Sequence, residues 1–310
     1  MGGRILKNTI ETDLRARVTN DERAYSGGTG IGDSLWHHLT RVADLAQRLG
    51  RAEGVDETAC RLAGLFHDAG KFAGGGYHPG DRSEEEQSVD LLLDLAGKHA
   101  VETTVVERVA ESIRQLYRDD PDPTPLTCVL FDADNLDKLG PLGIANYFVK
   151  VGLKGTGVSP DLLYRLTVEL TYARCAPHCL ATVTGRKIAH QRAPETTRFF
   201  HHLIESLRTE GLYDLHVDTV EFNGLTLEIV APRACDCGGA LARRITEVPG
   251  IKCSEIRGGA LTRRIAEVPG IKCSEILLEH SCDACEFTHH IRFCRPRLTR
   301  RLRPKAALGG

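Results

Sequence analysis

The sequence predicts a mainly α protein, an all-α helical bundle followed by a small β-rich, zinc-ribbon-like domain. Three observations carry that expectation. From residue 34 to about 211, apolar residues recur at spacings of three and four, with few β-branched runs. Near residue 211 the texture changes to strand-like segments flanking Asn223-Gly224, a strong two-residue hairpin signal. Seven of the eleven cysteines fall after residue 234, several as close pairs. In a chain without an export signal, such pairs read as zinc ligands before they read as disulfides.

The opening residues, 1–30, are polar and read as a flexible N-terminal segment. That leaves 31–211 for the bundle, 212–290 for the β-rich domain and 291–310 for a basic tail. Leu35, Leu39, Val42, Leu45, Ala46 and Leu49 make one apolar stripe, and the helix is expected to stop at Gly50. Asp56 is placed to cap a second helix that carries Leu62, Leu65 and Phe66 into the core and ends at Gly70. Ser83 and Glu86 form a capping box for a helix through Leu91, Leu92, Leu93 and Leu95. Further helices are expected over 103–118, 125–138, 142–153, 160–175, 180–192 and, after Pro194, 195–209. Strand-like segments 216–222 and 225–230 then make the hairpin. Gly238–Arg257 and Gly258–Leu277 differ at three places only, a tandem duplication that predicts an extra hairpin around its Val-Pro-Gly turns.

Composition narrows the function classes. A formal net charge of -2 gives no global attraction for nucleic acid, so a basic surface has to be local. No apolar run approaches the roughly 20 residues that span a bilayer, and the polar opening lacks the apolar core of a secretory signal. A cytoplasmic protein without membrane partners is expected. Met-Gly-Gly at the start suggests myristoylation, but Leu6 stands where that signal wants Ser or Thr.

The most informative residues are His67 and Asp68, at the end of the apolar run Leu62-Ala63-Gly64-Leu65-Phe66 and followed by Ala69-Gly70-Lys71. His38 lies about one helix upstream, and Asp134 lies downstream in Asp132-Ala133-Asp134-Asn135-Leu136-Asp137. Two imidazoles and two carboxylates reaching one point suit a first-row divalent metal, which keeps enough positive charge to acidify water. Carboxylates within an apolar helix are costly unless paired or metal-bound.

With these residues the chain resembles the HD-domain metal-dependent phosphohydrolases, whose pattern is an isolated His, a His-Asp pair and a distant Asp on an all-α bundle. The resemblance covers about residues 30–210 and implies His38, His67, Asp68 and Asp134 as ligands. Of the neighbouring pairs, its phase favours His38 over His37 and Asp134 over Asp132, leaving Asp132 and Asp137 structural or supporting roles. The segments Asp132–Ile144 and Thr184–Ala189 look like a bacterial branch of single-domain HD proteins. That branch implies hydrolysis of nucleotides, with manganese-supported pyrophosphohydrolysis of nucleoside triphosphates as a candidate. Magnesium, nickel, cobalt or iron would also suit the ligand set. Because the helix around Ser112–Tyr117 has no histidine, a mononuclear site is favoured. Asp68 is also expected to orient the attacking metal-bound water, and Lys71 to neutralise phosphate charge in the transition state. Arg41, His78 and Arg82 are weaker candidates for substrate contact.

Cys235-Asp236-Cys237 and Cys282-Asp283-Ala284-Cys285 resemble the two knuckles of a zinc ribbon, giving four thiolates for a closed structural zinc site. Cys253 and Cys273, copies of one another, read as bystanders. After Glu286 the chain has no acidic residue, while Arg292, Arg295, Arg297, Arg300, Arg301, Arg303 and Lys305 accumulate. This stretch is either a solubilising tail or a track for a phosphate backbone. The leading expectation is therefore a nucleotide phosphohydrolase. The alternative is an HD-type nuclease or nucleotide-sensing module that holds RNA or DNA through the ribbon and tail, and a homodimer is left open.

Overall fold

The computed structural model describes residues 2–27, 33–76, 83–116, 122–153, 157–249 and 274–294. The chain divides into two compact units, one built on Met1–Asp137 with Leu180–Gly185, the other on Lys138–Cys179 with Arg186–Thr299. Nine α-helices and five strands are found among the described residues. The architecture is mainly helical with small antiparallel sheets toward the C-terminus.

The first unit holds α1 (Gly2–Tyr25), α2 (Ser34–Glu53), α3 (Glu57–Phe66), a 3-10 turn (Ala73–Gly75), α4 (Glu84–Lys98), α5 (Thr103–Gln115) and α6 (Pro125–Asp137). The flexible opening segment expected from the sequence is instead α1. Ile10, Leu14 and Val18 recur at four-residue spacing and are buried, which is what pins the helix down. Buried Glu22 continues that stripe and accepts from Leu35 N (3.1 Å) and Ser34 Oγ, capping the start of α2. The expected stop of α2 at Gly50 is also corrected. Gly50 is buried within the helix, where an added Cβ would lie 2.5 Å from Cys60 Sγ, and the helix ends one turn later at Gly54, whose φ is 72°. Asp56 caps α3 as expected, accepting from Thr58 N and Ala59 N. Ser83 likewise caps α4, accepting from Glu86 N at 3.2 Å.

The second unit holds α7 (Gly140–Leu153), α8 (Pro160–Cys179) and most of α9 (Val183–Thr209). With them are β1 (Leu215–Phe222), β2 (Leu225–Pro232), β3 (Leu241–Pro249), β4 (Ser274–Cys282) and β5 (Thr288–Cys294). β1 and β2 pair antiparallel about Asn223-Gly224, where both central residues take positive φ (46° and 77°), as a tight primed turn requires. β3, β4 and β5 form a second antiparallel sheet in that order. The second compact unit begins at Lys138 and so groups α7, α8 and most of α9 with the strands. Strand β2 has a free edge whose amides need acceptors, and two threonines one turn apart on α8 supply them. Val230 N donates to Thr167 Oγ1 (2.9 Å) and Glu228 N to Thr171 Oγ1 (3.1 Å). Leu166, Leu170, Phe200 and Ile204 then share one core with Leu227, Ile229, Leu278 and Ile291. The two helices expected over 180–192 and 195–209 are one helix running through Pro194. The extra hairpin expected from the duplication falls on 250–273, and the basic tail beyond Cys294 likewise lies outside the described residues.

Candidate metal centre

The first unit brings three helices to one point. Gly64 of α3 faces α2 so closely that a Cβ would lie 2.5 Å from Ala43 Cα and 2.6 Å from Ala43 N. A side chain there would have to push backbone aside. The close approach sets the His38 ring of α2 5.1 Å from the His67 ring, centroid to centroid. His67 follows the last residue of α3 as its C-cap, one turn earlier than a helix to Gly70 would have it. The turn that follows is clamped by α4: Gly70 N donates to Ser88 Oγ (2.9 Å), and a Cβ on Gly70 would sit 2.6 Å from Ser88 N. Asp134 enters from α6.

His38 Nε2, His67 Nε2 and an Asp134 carboxylate oxygen can all lie within 4.8 Å of one another. His38 Nε2 is 3.6 Å and His67 Nε2 3.8 Å from Asp134 Oδ1. Asp68 joins the same group through both oxygens, Oδ1 3.6 Å from His67 Nε2 and Oδ2 3.7 Å from His38 Nε2. The rings are held from behind. His67 Nδ1 donates to Gly64 O at 2.9 Å, which aims Nε2 into the site, where a bound cation would take the place of its proton. Among the described residues that buried Nε2 makes no hydrogen bond, its carboxylate neighbours standing off at 3.6 and 3.8 Å, a spacing that suits an intervening cation. His38 Nδ1 is 2.9 Å from Asp137 Oδ2, and Arg41 reaches the same carboxylate through Nε (2.7 Å) and its terminal nitrogen (3.0 Å).

Electrostatics agree with a site built for a cation. Burial alone would lower the pKa of His67, but the Asp68 and Asp134 carboxylates more than offset it and push it up to about 9. The site attracts positive charge. Burial lowers His38, against its hydrogen bond to Asp137. Asp68 is held well below the ordinary carboxylate range, since Lys71 and His67 outweigh its burial. Asp137 is drawn down to about 2, its burial being overcome by the hydrogen bonds from His38 and Arg41. Two imidazoles and two carboxylates of this kind fit a divalent first-row cation.

Each residue expected from the sequence can now be located. His38, His67, Asp68 and Asp134 converge. Lys71 Nζ lies 2.8 Å from Asp68 Oδ2 and 3.8 Å from Glu84 Oε1, with its side chain 24% exposed. Arg41, expected as a substrate contact, is forked onto buried Asp137 with its side chain 28% exposed, so it orients the carboxylate that holds His38. His78 and Arg82 lie outside the described residues. Asp132 is fully buried and structural. It accepts from Ala181 N (2.7 Å), Thr182 N (2.7 Å) and Thr182 Oγ1 (2.6 Å), capping the start of α9. A Cβ at Gly185 would fall 2.2 Å from Asp132 Oδ2, which accounts for that glycine.

In the second unit Cys235, Cys237, Cys282 and Cys285 present sulfurs within 4.8 Å of one another. Cys235 Sγ is 3.4 Å from Cys285 Sγ, and Cys237 Sγ 3.5 Å from Cys282 Sγ. A tetrahedral site with bonds of about 2.3 Å has edges of about 3.8 Å, so four thiolates here could hold zinc. Gly239 N donates to Cys237 Sγ (3.3 Å) and Ala284 N to Cys282 Sγ (3.4 Å), as in a thiolate-presenting turn. The Gly239 amide and then the neighbouring thiols draw Cys237 down to about 7.

Comparison with known proteins adds five findings. The model of the HD domain family matches residues 35–139. YpgQ of Bacillus subtilis is 30% identical over 128 residues, which cover 41% of this chain and 61% of YpgQ. Ribonuclease Y of Geobacillus thermodenitrificans is 30% identical over 105 residues, 34% of this chain and 18% of that enzyme. The aligned region therefore spans less than two thirds of either relative. The crystal structure of YpgQ superposes with a TM-score of 0.49 at 22% identity, covering 67% of this chain and 98% of YpgQ. YpgQ in complex with ADP gives a TM-score of 0.48 at 23% identity, covering 68% and 97%.

Proposed function

We propose, from the match of residues 35–139 to the HD domain family, that the chain is a metal-dependent phosphohydrolase cleaving a phosphoanhydride or phosphoester bond of a nucleotide. The observation that carries this reading is the buried His67 Nε2, which makes no hydrogen bond among the described residues and faces His38, Asp68 and Asp134. His38 and His67 would hold a divalent cation through Nε2, and Asp68 and Asp134 through carboxylate oxygens. Manganese is the cation we favour, with magnesium, nickel, cobalt and iron admitted by the same donors. When bound, the cation supplies Lewis-acid chemistry, drawing charge off phosphate oxygens and making water acidic enough to attack at neutral pH.

The remaining work falls to the chain's own residues. Gly64 O and Asp137 hold the two Nδ1 atoms, so both Nε2 lone pairs stay aimed at the site. Asp68 has an oxygen for the attacking water, and Lys71 beside it carries positive charge at a partly exposed position where a phosphate can reach it. A nucleotide as the phosphate ester is in keeping with the ADP complex of the sequence relative YpgQ. The four cysteines would hold a structural zinc as thiolates, and a cysteine cluster of that kind suits a reducing, cytoplasmic setting. A second reading, action on RNA or DNA, draws on the identity to ribonuclease Y.

The test is product analysis. Incubation with manganese and a panel of nucleoside and deoxynucleoside triphosphates, followed by chromatography and phosphorus NMR, should reveal turnover and identify the bond cut. His67→Ala combined with Asp68→Ala should abolish it. Turnover that persists in the double variant refutes the site, and cleavage of single-stranded RNA or DNA with no nucleotide turnover selects the second reading.

A further inference from the structure

We propose that a basic cleft in the second unit, separate from the metal centre, binds a single strand of nucleic acid. The cleft encloses about 1240 Å³ between the last turns of α8, the middle of α9 and the β1–β2 hairpin. Its charge is unlike that of the chain as a whole. The full sequence has 40 Lys and Arg against 42 Asp and Glu, whereas this lining carries Arg174, Arg198, Arg208 and Arg233 against Glu205. Such a local excess focuses a field on an anion even in a protein of near-zero net charge.

Three of these guanidinium groups are available to a ligand. Arg198 makes no ion pair among the described residues. Arg174 Nε stands 3.9 Å from Glu228 Oε1, and Arg233 Nε 3.7 Å from Asp214 Oδ1, both longer than a charge-assisted hydrogen bond. Their side chains are more than half exposed, so turning toward a phosphate costs little. Arg208 is instead forked onto Glu205.

Size and ring content point to an extended polyanion. Pockets for single small ligands commonly enclose about 300–1,000 Å³, and this one is larger, with its cations spread along α8, α9 and the residue after β2 rather than gathered at one phosphate. Interleaved with them are imidazoles. His178 and His190 meet edge to face at 5.7 Å between centroids, and His202 lies further along α9. Imidazole rings offer faces to unstacked bases and N–H donors to phosphates, and guanidinium planes stack on bases as well. An acidic peptide could use the arginines and the imidazole N–H donors but has no base to stack on the ring faces. The inference does not depend on the metal centre, and inactivating that centre leaves its test intact.

Fluorescence anisotropy on the full chain, with a labelled mixed-sequence oligonucleotide of about 16 nucleotides as RNA or as DNA, measures binding between about 50 and 200 mM salt. Arg198→Ala with His202→Ala should weaken binding several-fold and lower the log–log salt slope by about 0.7 for the lost phosphate contact. Circular dichroism and zinc content should stay as in the unsubstituted chain. Independently, 4-thiouridine in the RNA should crosslink to peptides of α8, α9 or the β1–β2 hairpin. Preference for RNA over DNA, or its absence, identifies which sugar the site reads, and either outcome supports the proposal. Undetectable binding overturns it. So do crosslinks confined to residues 295–310, binding lost in a full chain carrying Arg300→Gln, Arg301→Gln and Arg303→Gln but unmoved by the cleft variant, or equal competition by polyglutamate.

Discussion

Replacing Asp137 by Asn leaves every candidate ligand in place and removes only the charge behind one of them. The Asp137 carboxylate is 3% exposed, takes His38 Nδ1 on Oδ2 and holds Arg41 on both oxygens. Asparagine has one acceptor oxygen, so it can serve His38 or the guanidinium fork, and its NH2 then faces a donor. His38 loses both its orientation and the bias toward the tautomer that frees Nε2. Loss of such a partner typically lowers metal affinity about 10–100-fold, or about 1.4–2.7 kcal/mol. Breaking a buried ion pair costs about 3–5 kcal/mol of stability. The Arg41 side chain keeps 28% exposure and water solvates it in part, so about 2–3 kcal/mol is expected here. Calorimetric titration of manganese into metal-free protein, with urea denaturation alongside, reads both quantities. Manganese affinity within about twofold of the parent, in a variant with the expected loss of stability, would refute the claim that Asp137 positions His38.

Other substitutions test other links. Gly64→Ala inserts a Cβ 2.5 Å from Ala43 Cα, so α2 and α3 must part; about 1–3 kcal/mol of stability and a measurable share of manganese affinity should be lost together. Intact affinity would show that the close approach does not set the His38–His67 spacing. Cys282→Ser with Cys285→Ser should remove about one zinc per chain in elemental analysis and lower the thermal midpoint of the second unit; unchanged zinc refutes the four-sulfur site. His280 is 2% exposed, and burial, then Arg243 and His289, lower it to about 4, against about 6.5 when unfolded. The unfolded chain therefore takes the proton first as pH falls. Stability present at neutral pH should decline between about pH 6.5 and 4, by about 1–2 kcal/mol after solvent screening, and then level off. The difference in urea midpoint between the parent and His280→Gln should shrink over that window; a constant difference contradicts it.

Much of the site could be read along the chain because its residues announce themselves locally. His67-Asp68 closes an apolar helix, Asp134 interrupts another, and the cysteine pairs are adjacent in sequence. What escaped was decided by distant packing. Ile10, Leu14 and Val18 make a stripe too sparse to stand out within a polar segment, yet burial against the bundle fixes α1. Pro194 suggested a break, but Ala189, Ala193, Thr196, Phe200 and Ile204 are buried on one face across it, and Thr196 Oγ1 accepts from Gly140 N at 2.7 Å. Packing on both sides of the proline carries the helix through. The Arg41–Asp137 pair behind His38 could not be read locally, because the carboxylate lies 96 residues away. The grouping of α8 with β2 rests on threonines of α8 that accept from β2 amides, a pairing that no local pattern encodes.

Electron paramagnetic resonance of manganese titrated into metal-free protein, with the Cys site filled by zinc, tests the metal centre most directly. One bound manganese per chain, lost in His67→Ala and weakened in Asp134→Asn, is the predicted result. Equal binding by the parent and His67→Ala would contradict it.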